Sequence, residues 1–247
     1  MDLGEMVVKA SKEQAPPYYY YRSLGAKIKK PASLESLSPG LASEFVLPPA
    51  LMPEKVHSSV LRIASSGLHM WLHYDVADNF LCVLGGVKRV RLFPPSEVDR
   101  LHINDSSSAL DVFDTNLDLG RFPRAEGVMD TCYETLLYPG DVLYIPALWP
   151  HATESLQDKS TPLAVSVNVF FIRPELAALH DPKDVWANKD VIPAASALQH
   201  VQQAADLIQS LPEPHRTFYA RKAEVSLDAG SPESSSPSGG GRGARSP

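Results

Sequence analysis

Between His57 and Phe171, apolar and polar residues alternate in short runs broken by Gly, Pro and Asp/Asn, the pattern of half-buried β-strands. The runs Ser59–Ala64, Leu68–Tyr74, Phe80–Leu84, Val87–Phe93, Thr131–Tyr138, Asp141–Ile145 and Leu163–Phe171 are the predicted strands. Ser66-Gly67 and Pro139-Gly140 supply tight turns, and Pro94-Pro95 stops the fourth run. In that run Val90 and Leu92 share a face with Lys88. Short strands at this spacing predict a mainly β protein, an antiparallel sandwich or barrel. Residues 96–130 are polar and hold no stable period, so they are read as an insertion.

The flanks are patterned differently. Val7-Val8 begins a short predicted strand, and Tyr18 to Tyr21 favours extended backbone. Ala26 to Pro53, rich in Pro and Ser, is read as a connecting segment with at most one short helix near Ala42–Phe45. Beyond the strands, Ala194, Leu198, Val201, Ala205 and Ile208 recur at helical spacing and form one apolar stripe. Leu211-Pro212 ends that helix and Glu213–Val225 makes a second, while the Ser/Gly/Pro-rich segment Asp228–Pro247 reads as disordered. The predicted organisation is a variable N-terminus (1–17), a β core (18–172), a helical region (173–227) and a tail (228–247).

With 44% apolar and 21% charged residues, the 247-residue chain has the composition of a globular protein with one sizeable core. A formal charge of −6 argues against a uniformly basic nucleic-acid binder. It leaves local patches at Lys27, Lys29 and Lys30, at Arg89 and Arg91, at Arg121 and Arg124, and at Arg216, Arg221 and Lys222, each of which a solvated charged face explains better when taken alone. The two cysteines, Cys82 and Cys132, sit in apolar runs and are read as reduced, buried thiols. Met1-Asp2-Leu3-Gly4-Glu5 has no signal-peptide character, and no apolar run is long enough to span a bilayer. The expected setting is intracellular, in cytoplasm or nucleus, without membrane contact.

The chemistry begins at Trp71-Leu72-His73-Tyr74-Asp75. On a strand, His73 and Asp75 would face the same way. An imidazole and a carboxylate on one face are two of the three ligands of a facial metal site, the kind that leaves positions open for non-haem Fe(II) and oxygen. The pair alone is weak. Gly140-Asp141-Val142-Leu143-Tyr144-Ile145-Pro146, closing on His151, supplies the third ligand at a strand end. His57, His69, His102, His180, His200 and His215 are read as surface or core residues.

The combination of His73-x-Asp75 with the Gly140–His151 strand resembles the JmjC family of Fe(II)- and 2-oxoglutarate-dependent oxygenases, members of the cupin superfamily. The resemblance runs from about Tyr18 to Phe171. It implies a double-stranded β-helix (a cupin/JmjC jelly roll) with C-terminal helices, and Fe(II) held by His73, Asp75 and His151. It also implies 2-oxoglutarate as cosubstrate, and O2. Lys88 resembles the family's carboxylate-binding lysine, with Asn79 and Tyr20 assisting; the plain alternative, a strand-edge lysine guarding against aggregation, suits Arg89 and Arg91 better. Tyr20 is chosen because Tyr20-Tyr21-Arg22-Ser23-Leu24-Gly25 resembles the family's Tyr-x-Arg-Ser-Leu-Gly. Asn168 reads equally as a site residue or a satisfied core amide.

Asn188-Lys189-Asp190, Leu211-Pro212-Glu213 and Arg216-x-Phe218-Tyr219-Ala220-Arg221 are similar to the tRNA-hydroxylating branch of that family. That likeness implies hydroxylation of a wybutosine precursor at the modified guanosine beside the anticodon of phenylalanine tRNA. It also implies a homodimer, whose seam the stripe Leu198, Val201, Ala205 and Ile208 would form; packing of the stripe on its own barrel accounts for it equally. Members of the branch carry a longer region ahead of the tyrosine motif than Met1–Pro17. The competing readings are a JmjC protein hydroxylase or histone demethylase with a peptide substrate, and a non-catalytic cupin remnant.

Overall fold

The alternating runs fold into two antiparallel sheets. The structure, a computed structural model, describes residues 2–12, 16–27, 29–45, 56–159 and 161–228. Strands β1 (Tyr20–Arg22), β2 (Val56–Ser65), β4 (Asp78–Gly85), β7 (Val142–Ile145) and β9 (Leu163–Phe171) form one sheet, in the order β1-β2-β9-β4-β7. Strands β3 (His69–His73), β5 (Val87–Leu92), β6 (Tyr133–Leu137) and β8 (His151–Leu156) form the other, in the order β3-β8-β5-β6. The mainly β architecture with helices after the last strand is the expected one. The chain divides into two compact units at Ile192/Pro193. The first holds the helices α1 (Leu3–Lys12), α2 (Leu34–Leu37), α3 (Pro39–Glu44) and α4 (Pro174–Ala177), and the second holds α5 (Ile192–Gln209) and α6 (His215–Asp228), close to the two predicted helices. Among the described residues no helix is long and apolar enough to cross a membrane. The expected tail lies outside the described residues, apart from Asp228, which ends α6.

β9 sits between β2 and β4, and its near-continuous apolar run is buried along most of its length. In β5, Lys88, Val90 and Leu92 point inward while Arg89 and Arg91 stay partly exposed, as the alternation predicts. The β4–β5 turn needs glycine at position 86. Its φ is +67°, and a Cβ there would lie 2.3 Å from the Leu163 carbonyl oxygen.

Three expectations are corrected. Val7-Val8 is not strand but part of α1 (Leu3–Lys12). Leu3, Met6, Val7 and Ala10 fall at helical spacing, and Met6 and Ala10 are buried against Leu163. Asp2 and Glu5 cap the helix reciprocally: Glu5 N–H donates to Asp2 Oδ1 at 2.8 Å and Asp2 N–H to Glu5 Oε2 at 3.3 Å. Second, β8 was not predicted, because His151-Ala152-Thr153-Glu154-Ser155-Leu156 is too polar to read as a strand. Its polar groups find partners across the sheet, Glu154 meeting Arg89 at 3.0 Å and His69 at 3.5 Å.

Third, residues 96–130 are not a polar appendage. Leu101, Leu110, Val112, Ala125 and Val128 are buried in one cluster with Leu72, Phe93 and Ala152. Ala125 and Val128 sit in short 3₁₀ turns at Pro123–Ala125 and Val128–Thr131, while Leu101, Leu110 and Val112 come from irregular backbone, so the buried positions follow no helical or strand period. Leu110, 2% exposed, is the test. Leu110→Ala should cost about 2–5 kcal/mol in urea unfolding. A surface insertion would cost under about 0.5 kcal/mol.

Candidate metal centre

His73 ends β3 and His151 begins β8, and the two are cross-strand partners. Their ring centroids are 4.4 Å apart. Each imidazole is fixed the same way. Nδ1–H of His73 donates to the Trp71 carbonyl at 2.8 Å, and Nδ1–H of His151 to the Trp149 carbonyl at 2.9 Å. A carbonyl only accepts, so each Nδ1 carries a proton, and in the neutral ring Nε2 is the nitrogen with the lone pair. Asp75 Oδ2 lies 3.7 Å from His151 Nε2. One donor atom from each of His73, Asp75 and His151 falls within 4.8 Å of the others, the only such group among the described residues.

Burial sets the electrostatics. It holds the His73 imidazole well below its ordinary value, and the neighbouring His151 adds to the shift. Burial raises the Asp75 carboxyl, opposed by His151, Arg62 and Arg22. Two imidazoles and a desolvated carboxylate offer a two-nitrogen, one-oxygen donor set that suits a divalent transition metal and leaves coordination positions open.

The alternation argument for Asp75 does not hold, because β3 stops at His73. Backbone hydrogen bonds place Asp75 instead. Tyr74 N–H donates to Ser106 O at 3.0 Å, Leu148 N–H to Asp75 O at 2.9 Å, and Val76 N–H to Ala187 O at 3.0 Å. Two of these braces adopt the left-handed conformation, Leu148 with φ +66° and Ala187 with φ +57°. Non-glycine residues pay for that backbone only where surroundings hold them, as happens beside functional sites.

Asn79, Lys88 and Asn168 line one inner pocket with the three candidate ligands. Lys88 is 4% exposed and its Nζ donates to Ser155 Oγ at 3.0 Å. Asn168 Nδ2 donates to Asn79 Oδ1 at 3.1 Å. Tyr20 stands apart, in an outer pocket that shares His73, Asp75, Met70 and Arg62 with the inner one. Its hydroxyl accepts from Arg62 Nη1 at 2.9 Å. Sequence reasoning missed Arg62, which lines both pockets. The signal was available: a cation inside the apolar run Val60-Leu61-Arg62-Ile63. Thr153 and Ser166, also in the inner pocket, carried no comparable signal.

The facing sheets and the His–Asp–His cluster define a cupin-type barrel with a candidate metal centre. Residues 1–175 match the family described as Cupin-like domain, and the chain belongs to it. It is 40% identical over 238 residues to tRNA wybutosine-synthesizing protein 5 of Danio rerio, covering 93% of this chain and 70% of that protein. That similarity places the chain in the same family as the zebrafish protein. It is also 39% identical over 206 residues to tRNA wybutosine-synthesizing protein 4 of Neurospora crassa, covering 81% of this chain and 17% of the fungal one. Among solved structures, E. coli ycfD is similar at 19% identity and a TM-score of 0.35, over 75% of this chain and 43% of that chain.

Lys88 provides a pH test. Burial, with Arg62 nearby, pulls its amine down from an ordinary 10.5 to about 7. Between those values the unfolded chain holds the extra proton, so stability falls as pH drops through this window and the loss is complete below it. Lys88→Met removes the effect. In urea unfolding its stability relative to wild type should be greater at pH 7 than at about pH 9.5. An equal difference at both would contradict the burial argument.

Proposed function

We propose that the chain is an Fe(II)- and 2-oxoglutarate-dependent hydroxylase acting on a wybutosine precursor at the modified guanosine beside the anticodon of phenylalanine tRNA. The observation that carries the reading is the convergence of one donor atom each from His73, Asp75 and His151 within 4.8 Å. The names of the relatives support tRNA wybutosine modification as the pathway.

His73, Asp75 and His151 would hold the iron, which with 2-oxoglutarate and O2 supplies the oxidising power for hydroxylating a C–H bond. The residues of the chain do the rest. Lys88, steadied by Ser155, offers its ammonium to the distal carboxylate of 2-oxoglutarate. The gain from that pairing offsets the cost of keeping a cation buried. Asn79 and Asn168 hold each other in the same pocket and orient the cosubstrate. Tyr20 contributes from the mouth, through Arg62. Met70, Leu81 and Ile145 wall the pocket and exclude water from the reacting centre.

For the tRNA backbone, the exposed Lys27, Lys29 and Lys30 are candidate phosphate contacts. Arg89, Arg91 and Arg216 suit that role less, being paired with Glu154, Glu134 and Glu213. Leu198 and Val201, exposed on α5, support a homodimer seam. A tRNA substrate is in keeping with an intracellular protein of cytoplasm or nucleus.

The test is succinate release after anaerobic loading with Fe(II), on addition of O2 and 2-oxoglutarate. Phenylalanine tRNA carrying the precursor base should stimulate release above buffer, and Asp75→Ala should return it to background. Stimulation by peptide and not by tRNA would overturn the substrate. Turnover surviving in Asp75→Ala would overturn the metal chemistry.

A further inference from the structure

The outer pocket contains two features that folding does not explain. The first is Trp71, which leaves 63% of its surface in solvent with its ring 6.3 Å from the ring of His73. A bare indole at the mouth of a buried polar site is an apolar surface waiting to be covered. The second is Arg22. Its guanidinium lies 3.6 Å over the centre of the Trp186 ring, a cation–π stack. Its Nε is nevertheless buried without a hydrogen-bond partner in the protein, and so is the Nε of Arg62. A charged donor left unpaired in the interior forfeits a hydrogen bond it made to water in the unfolded chain. Two of them line the same pocket.

The stack is rigidly mounted. Asp184, 1% exposed, accepts from Trp186 N–H at 3.1 Å and from Lys189 N–H at 3.0 Å. The carbonyl of the next residue, Ala187, takes the Val76 N–H beside Asp75. One turn therefore positions both the Trp186 platform and a candidate metal ligand. Arg22 does not line the inner pocket, which separates it from the cosubstrate role argued for Lys88.

We infer that the outer pocket is a nucleobase-recognition site, in which Trp71 stacks on a planar base and the guanidinium groups of Arg22 and Arg62, both lining the pocket, pair with an oxyanion carried by that nucleotide. The choice of a base over another planar anion rests on the tRNA reading above. Aromatic rings accept any base face, and a guanidinium fork suits phosphate and carboxylate alike. The anion is therefore a backbone phosphate or a carboxylate on the base itself.

Binding to the full chain is followed by tryptophan fluorescence with guanosine, GMP and carboxymethylguanine as probes. At least one anionic probe should bind about tenfold tighter than guanosine. Preference for GMP assigns the anion to phosphate, and preference for carboxymethylguanine to a base carboxylate. Arg22→Gln should abolish the preference while guanosine affinity stays within about twofold, and Trp71→Ala should weaken all three by about tenfold. Arg22→Lys, which keeps a cation on β1, should restore part of the preference. Equal binding of guanosine and both anions by wild type would overturn the inference. So would wild-type binding by Arg22→Gln and Trp71→Ala, or loss of guanosine binding in both Arg22 variants, which would mark Arg22 as a packing residue. No arm needs turnover, so failure of tRNA-stimulated succinate release would sink the hydroxylase reading and leave this result standing.

Discussion

The site depends on one repeated interaction, the hydrogen bond from an imidazole Nδ1–H to the carbonyl two residues earlier. His73 makes it to Trp71 and His151 to Trp149. Each bond fixes a tautomer and a ring direction together, and burial keeps His73 from taking a second proton. Because the two histidines are antiparallel partners, the two free lone pairs converge. Asp75 then brings a carboxylate that burial has made costly to ionise. A divalent cation would relieve that cost and use all three donors at once.

The surrounding fold serves this convergence from both sides of each strand. His73 and His151 face the pocket, while their neighbours Leu72 and Ala152 are buried in the cluster built from residues 101–128. The insertion is thus the backing of the candidate metal centre, and Ser106 within it also holds Tyr74. On the far side, the Asp184–Lys189 turn braces Val76 and presents Trp186 to the mouth. Asp75, lying past the end of its strand, is held by loops from both directions.

The β core was legible because its strands obey a period of two: β5 and β9 sit where the alternation and the apolar run place them. The three candidate ligands were legible from the motif pair, and Lys88 from its inward face. What escaped lacked a period. β8 carries polar residues whose partners lie on other strands, such as Glu154 with Arg89. Leu110 reaches the core from irregular backbone and Val128 from a 3₁₀ turn. Val7-Val8 read as strand because two β-branched residues outweighed the spacing of Met6 and Ala10. Arg62 was passed over although a cation within an apolar strand is the same signal that marked Lys88.

The central claim is that both imidazoles carry their proton on Nδ1 when neutral, which leaves Nε2 for a metal. Long-range proton–nitrogen NMR of the metal-free protein, with nitrogen-labelled histidine at neutral pH, reads this directly. The account predicts the Nδ1–H tautomer for both His73 and His151, with the Nε2 resonances shifting together when zinc is added. The Nε2–H tautomer for either residue, or Nε2 resonances that ignore the metal, would contradict it.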